Sequence, residues 1–198
     1  MNDFWNERYA HEEFAYGTSP NVFLQGEIRQ LKPGRILFVC EGEGRNAVYA
    51  SSCGWDVEAF DLSEEGRKKA MRLAKTKQVT IQYRIANAIE VEYPEASFDV
   101  VALIYAHFLP GIRSRVHSQI TRWLKPEGRV ILEAFGPLQL NNSSGGPKDP
   151  TMLYSVEDLV KDFETLEHLR LSYEQIDLNE GPYHRGPADV VRLVALKK

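Results

Sequence analysis

Two glycines one residue apart, Gly42 and Gly44, close a short apolar run, and an acid, Asp61, closes the next one. The first run, Ile36 to Val39, has no polar interruption, which is how a strand buried on both faces reads. Glycines at this spacing let the backbone turn sharply and let a ligand come close. The helix expected from Arg45 offers unpaired N–H groups at its start. Asp61 stands 17 residues after Gly44 (61 − 44), at the end of the strand expected over residues 55–60. A carboxylate in that place can take both hydroxyls of a ribose. The chemistry indicated is nucleotide binding in a βαβ unit. The pattern Gly42-x-Gly44-x-x-Ala47 with Asp61 beyond it suits a nicotinamide dinucleotide as well.

The elements needed to hold that turn follow from the rest of the chain. At 198 residues one domain with a substantial core is expected. A net charge of −4 gives no electrostatic case for nucleic acid or a membrane surface. No apolar run reaches the length of a membrane span, and the first residues have neither a basic start nor an apolar stretch behind it. A cytoplasmic protein acting on a small molecule is the expectation. Two cysteines, Cys40 and Cys53, fit a reducing compartment. The five histidines lack partners at i+3 or i+4, so no metal site is expected.

Residues 1–20 read as an N-terminal flap, with aromatics around Arg8; Trp5 and Tyr16 are its candidate ligand contacts. Ser19 and Pro20 are placed to start a helix over residues 20–31. Beyond the glycine turn, strands are expected over 55–60, 79–85, 97–105, 129–135, 167–178 and 189–196, with helices between the earlier ones. About ten residues separate the last two strands, too few for a helical crossover, so that pair should be antiparallel. Residues 136–150 have no periodicity and many turn formers, and are expected to be a flexible insertion that closes over a ligand. His11, His117 and His168 read as solvated.

Several blocks together resemble the class I S-adenosylmethionine-dependent methyltransferases, and within them the small tellurite-resistance-type and thiopurine-methyltransferase-like branch. They are Phe4-Trp5-Asn6-Glu7-Arg8-Tyr9 with Tyr16-Gly17-Thr18, then Gly42-Glu43-Gly44-Arg45-Asn46-Ala47, then Asp61-Leu62-Ser63. Ser97-Phe98-Asp99-Val100-Val101 and Leu124-Lys125-Pro126-Glu127-Gly128-Arg129 complete the set. The resemblance implies an α/β fold, a Rossmann-like doubly wound sheet of seven mostly parallel strands with an antiparallel last strand at its edge. It implies S-adenosyl-L-methionine as cofactor and methyl transfer to a small acceptor such as a thiol or an oxyanion.

It also implies roles. Gly42 and Gly44 pass the cofactor's amino-acid and ribose part, Asp61 binds the ribose diol, and Leu62 lies against the adenine. Asn87 and Ala88 meet the adenine edge, Arg45 reaches the cofactor carboxylate, and Tyr105 to His107 line the methionine end. A His-Arg pair like His184-Arg185 lies over the reactive methyl in the tellurite-resistance-type enzymes, the first as base or orienter and the second as anion holder. The chain departs from the family pattern where Phe38 replaces an acid and Cys40 a glycine; Glu41 is then the candidate for the lost charge. An aspartate that accompanies the His-Arg pair falls at Gly136. A silent cofactor-binding module and a NAD-dependent oxidoreductase are the alternatives.

Overall fold

The computed structural model describes residues 2–198, with the backbone alone for Asn2. Met1, the first residue of the expected flap, lies outside the described residues. Seven strands, β1 (Arg35–Val39), β2 (Asp56–Asp61), β3 (Gln82–Ile85), β4 (Phe98–Ile104), β5 (Leu124–Phe135), β6 (Glu167–Asn179) and β7 (Arg185–Leu196), form one sheet. Their order is β3-β2-β1-β4-β5-β7-β6. The first five run parallel, and β7 pairs antiparallel with both β5 and β6. The expected doubly wound α/β sheet is therefore present, with one change. The last strand is not the edge: it inserts between β5 and β6, and β6 takes the edge.

Side-chain alternation along β1 builds both layers of the core. Ile36 and Phe38 face one cluster, shared with Phe23 and Leu24 of α2 (Val22–Ile28), Ala47 and Val48 of α3 (Arg45–Ser52) and Leu73 of α4 (Glu64–Thr76). Leu37 and Val39 face the other, with Ile120 and Trp123 of α5 (Pro110–Trp123) and Leu159 of α6 (Val156–Asp162). The order reverses at β1, whose neighbours are β2 and β4. At such a switch point ligands bind beyond the carboxyl ends of the strands.

Several elements differ from the sequence pattern, among them β5, which starts at Leu124 rather than 129, and β7, which starts at Arg185 rather than 189. The second helix starts at Val22 because Asn21, not Ser19, caps it, accepting from the Leu24 amide at 2.9 Å. Strand β3 begins only at Gln82, since the Val79 amide is tied back to Ala74 at the end of α4. The insertion over residues 136–150 is not a free loop. Gln139 is buried, donates to Ser144 and Gly145, and accepts from the Asp189 amide at 2.9 Å. Asn142 donates to Asp189 at 2.7 Å, so the segment is pinned to β7. A Cβ at Gly136 would lie 2.5 Å from the ring of exposed Tyr173, so an aspartate there would require that ring to move.

Candidate active site

The turn after β1 is left-handed three times, at Cys40 (φ 55), Gly42 (φ 60) and Gly44 (φ 83). Cys40 thus keeps the conformation that suits glycine, at a cost of roughly 1–2 kcal/mol. Phe38 is fully packed in the core, so no charge exists at that position. Glu41 answers a different need. Gly44 caps α3 without a side chain, and Glu41 Oε1 accepts the Asn46 and Ala47 amides at 2.9 and 2.8 Å. Burial pushes the Glu41 carboxyl up to about 7, although these bonds and Arg45 pull the other way.

Asp61 sits at the end of β2 with one oxygen on the Gly42 amide (3.0 Å) and the other on the Ser63 amide (2.9 Å). Burial raises its carboxyl above the usual range despite those bonds. A carboxylate has about four lone-pair sites, so two remain for a diol. Leu62 is half-buried beside it, and Ala88 is buried. Asn87 uses Oδ1 to close its own turn on the Ile89 amide at 3.1 Å.

The N-terminal segment is strapped over this turn. Glu43 is buried, accepts from the Ala15 and Tyr16 amides at 3.1 and 3.3 Å, and pairs with Lys69 at 2.6 Å. Lys69 in turn donates to the carbonyls of His11 and Glu13, each at 2.7 Å. Trp5 of α1 (Asn2–Tyr9) stacks on Tyr9 at 5.5 Å. A Cβ at Gly42 would lie 2.6 Å from Tyr9 Oη, so Tyr9 rests where only glycine leaves space. Two cavities open along the N-terminal segment, one of about 390 Å³ between Tyr9 and Lys69 and one of about 290 Å³ between Tyr16 and Glu180.

The second part of the site surrounds His184, which is buried. Its Nδ1 lies 3.3 Å from Glu180 Oε2, and the same oxygen accepts from Arg45 Nη2 at 2.8 Å. Tyr16 and Tyr105 flank the imidazole at 4.4 and 4.6 Å between ring centroids, with Phe135 at 5.3 Å. Burial lowers the His184 pKa against the pull of Glu180. Burial would raise Glu180, but His184 and Arg45 outweigh it and hold the carboxyl at about 2. His184 is therefore a neutral imidazole beside a fixed negative charge. Tyr105, left-handed at φ 57, has a buried hydroxyl with no hydrogen-bond partner among the described residues. An unpaired buried hydroxyl is costly, and a polar ligand atom would relieve it.

Some expected residues take other places. Arg185 is exposed and has no polar partner among the described residues; successive strand residues face opposite ways. Arg45, not Arg185, is the guanidinium joined to His184. Because Arg45 is paired with Glu180, its charge is already matched inside the chain. His107 lies under the site with both ring nitrogens engaged: Nδ1 meets the Met152 carbonyl at 2.7 Å and Nε2 accepts the Phe135 amide at 3.2 Å. Burial takes its pKa down to about 4, so it is a neutral packing residue and no base. His117 is buried against Asp162 at 2.8 Å rather than solvated, and His168 Nε2 meets the Phe163 carbonyl at 3.0 Å. Glu180, Lys69 and Asn21 lie in no motif that marks them, and Glu43 and Tyr9 stand inside the resembling blocks without an assigned role; only the i+4 spacing of Trp5 and Tyr9 hinted at a shared face.

Residues 36–128 match the family model described as a methyltransferase domain. Over that stretch, just under half of its length, the chain is similar to methyltransferase domains. Its implied cofactor is S-adenosyl-L-methionine, and the fixed carboxylate of Asp61, the left-handed turn and the orphan Tyr105 hydroxyl fit such a group. The chain is 30% identical over 147 residues to the 27-O-demethylrifamycin SV methyltransferase of Amycolatopsis mediterranei, across 68% of this chain and 54% of that protein. It is 30% identical over 112 residues to the demethylmenaquinone methyltransferase of Deinococcus radiodurans, across 53% of this chain and 44% of that protein. The chain thus spans about half or less of these curated relatives. A structure solved in work on the conversion of a disulfide bond into a thioacetal group during echinomycin biosynthesis superposes over 100% of this chain and 92% of that one. Its TM-score is 0.82 at 15% identity. TehB from Haemophilus influenzae superposes over 100% of this chain and 67% of that one, with TM-score 0.69 at 15% identity. Both likenesses speak to the fold alone.

Proposed function

We propose that the protein transfers a methyl group from S-adenosylmethionine to a small-molecule acceptor, a thiol, an oxyanion or a similar nucleophile, and that His184 receives a proton where the acceptor carries one. The observation behind this reading is the placement of a neutral, buried imidazole beside the glycine turn at the switch point of a methyltransferase-like sheet. Its Nδ1 faces Glu180 and its Nε2 has no bond among the described residues. When bound, S-adenosylmethionine would supply an electrophilic sulfonium methyl to the acceptor's lone pair, the carbon–sulfur electron pair passing back to sulfur.

The chain's own residues hold the partners and move the proton. Asp61 takes the ribose diol, with Leu62, Asn87 and Ala88 around the adenine. Cys40 to Gly44 give the backbone path, and Tyr105 offers its free hydroxyl near the acceptor. His184 Nε2 takes the acceptor proton as the new bond forms, and Glu180 balances the imidazolium. Tyr16 and Phe135 keep water from the imidazole, and alignment supplies most of the acceleration in such a displacement. The tellurite-resistance-type branch is the nearest reading of the Phe4–Tyr9 and Gly42–Ala47 blocks, and TehB is among the structural likenesses. A net charge of −4 supports a small acceptor over nucleic acid or membrane. Among the described residues no helix is long and apolar enough to cross a membrane, and both cysteines are free, which supports a cytoplasmic setting.

Calorimetric titration with S-adenosylmethionine, S-adenosylhomocysteine and NAD tests the cofactor, followed by turnover against thiols, phenols and oxyanions. Binding of both adenosyl compounds with turnover is the expected result. Binding of NAD alone overturns the reading. Binding without turnover across the panel assigns a silent module, which the loss of the motif acid at Phe38 favours.

A further inference from the structure

We propose that Glu180 is a positioning residue: it joins the cofactor turn, through Arg45, to His184 and sets that imidazole's orientation and protonation. The inference rests on the reading of His184 as the proton acceptor.

Glu180 lies beyond the end of β6 and Arg45 opens α3, so their bond spans 135 positions of sequence. One oxygen, Oε2, serves both Arg45 Nη2 (2.8 Å) and His184 Nδ1 (3.3 Å). The other, Oε1, accepts from Asn21 Nδ2 at 3.1 Å, and the Asn21 amide donates to Asn46 Oδ1 at 2.9 Å. The turn therefore reaches the carboxylate twice, directly from Arg45 and through Asn46 and Asn21. A carboxylate facing Nδ1 keeps the proton there and leaves Nε2 as the basic lone pair. Arg45 competes for the same oxygen, so any ligand that shifts Arg45 changes how strongly Glu180 holds His184.

The groups facing His184 come from four segments. Glu180 and Arg45 are the charged ones in the cluster, Arg8 adds a second cation, and Tyr16, Tyr105 and His107 are neutral. Removing the carboxylate and removing the guanidinium must then move the His184 titration in opposite directions. A general loss of packing would move it one way in both variants.

The test is a ¹⁵N-imidazole NMR titration of His184 in the full chain, in wild type, Glu180→Gln and Arg45→Met. The wild-type ring should carry its proton on Nδ1. In Glu180→Gln the midpoint should fall by about one pH unit, the size expected for losing an opposite charge at this range. In Arg45→Met it should rise, because a cation near the ring is gone and Glu180 Oε2 is no longer shared. Opposite shifts support the proposal. Shifts of one sign, or a midpoint unmoved in Glu180→Gln, overturn it. If Glu180→Gln does not fold, Glu180→Asp takes its place, and the midpoint should again fall because the shorter arm draws the charge away from Nδ1. S-adenosylmethionine binding is measured by calorimetry on the same wild-type sample. Its absence overturns the methyl-transfer reading without changing what the titration says of Glu180.

Discussion

Two buried glutamates stand on the two halves of this site, and their environments push them apart. Glu41 meets backbone amides at the start of α3, and burial carries it up to about 7. Glu180 meets Arg45 and His184, and holds at about 2 despite burial. Amides help a carboxylate, but a full cation beside it helps more. The glycine turn therefore uses its acid to shape backbone, whereas the His184 cluster uses its acid to set the charge of other side chains. Glu43 does both at once, with two amides and Lys69.

Removing the acid from the His184 cluster should have the largest effect. Glu180→Ala leaves Arg45, about 7% exposed, without its counter-charge. We expect a loss of about 3–5 kcal/mol in urea denaturation. A loss under about 1 kcal/mol would show that the charge pair is not what holds the two halves together.

The Glu41 side should show itself through pH. Its folded pKa of about 7 lies above the reference value of 4.5, so its contribution is full below 4.5 and lost as pH rises through 7. The change is on the order of 3 kcal/mol. Glu180 has the reverse sign: its contribution is present above 4.5 and lost as pH falls through about 2. Denaturation midpoints of Glu41→Gln should therefore be flatter than wild type between pH 4.5 and 7. An unchanged slope would remove the contrast between the two acids.

A smaller effect is expected at Asn21, which touches both halves by capping α2 and donating to Glu133 and Glu180. Asn21→Ala should cost about 1–2 kcal/mol in the same assay. Arg185→Ala should change stability by less than about 0.5 kcal/mol, because the side chain is exposed and unpartnered among the described residues. A larger loss there would place Arg185 in the cluster after all.

Much of the first half was legible in the chain. The run Ile36 to Val39, the glycines and Asp61 each act over a few residues, and local periodicity encodes them. Asp61 does stand at the end of β2, bonded to the turn amide. The second half was legible as separate residues, His184, Tyr16, Arg45 and Tyr105, but not as a cluster, and Glu180 not at all. The neighbours of His184 come from residues 16, 45, 105 and 180, and no local pattern links such distant positions. Arg185 was attractive because it is adjacent in sequence, yet strand alternation turns adjacent side chains apart. The insertion over residues 136–150 looked free because its composition is turn-forming; Gln139 and Asp189 bind it through contacts that composition does not show.

The sequence by itself determined the alternating strands and helices, the left-handed turn and the acid that faces it, because these depend on neighbours in the chain. Tertiary structure alone decided that β7 lies inside the sheet, that Tyr9 rests on Gly42, and that Arg45 rather than Arg185 shares a carboxylate with His184. The physical reason is that a buried charge must find a counter-charge wherever packing brings one. Here packing brought Glu180 to Arg45 from 135 positions away.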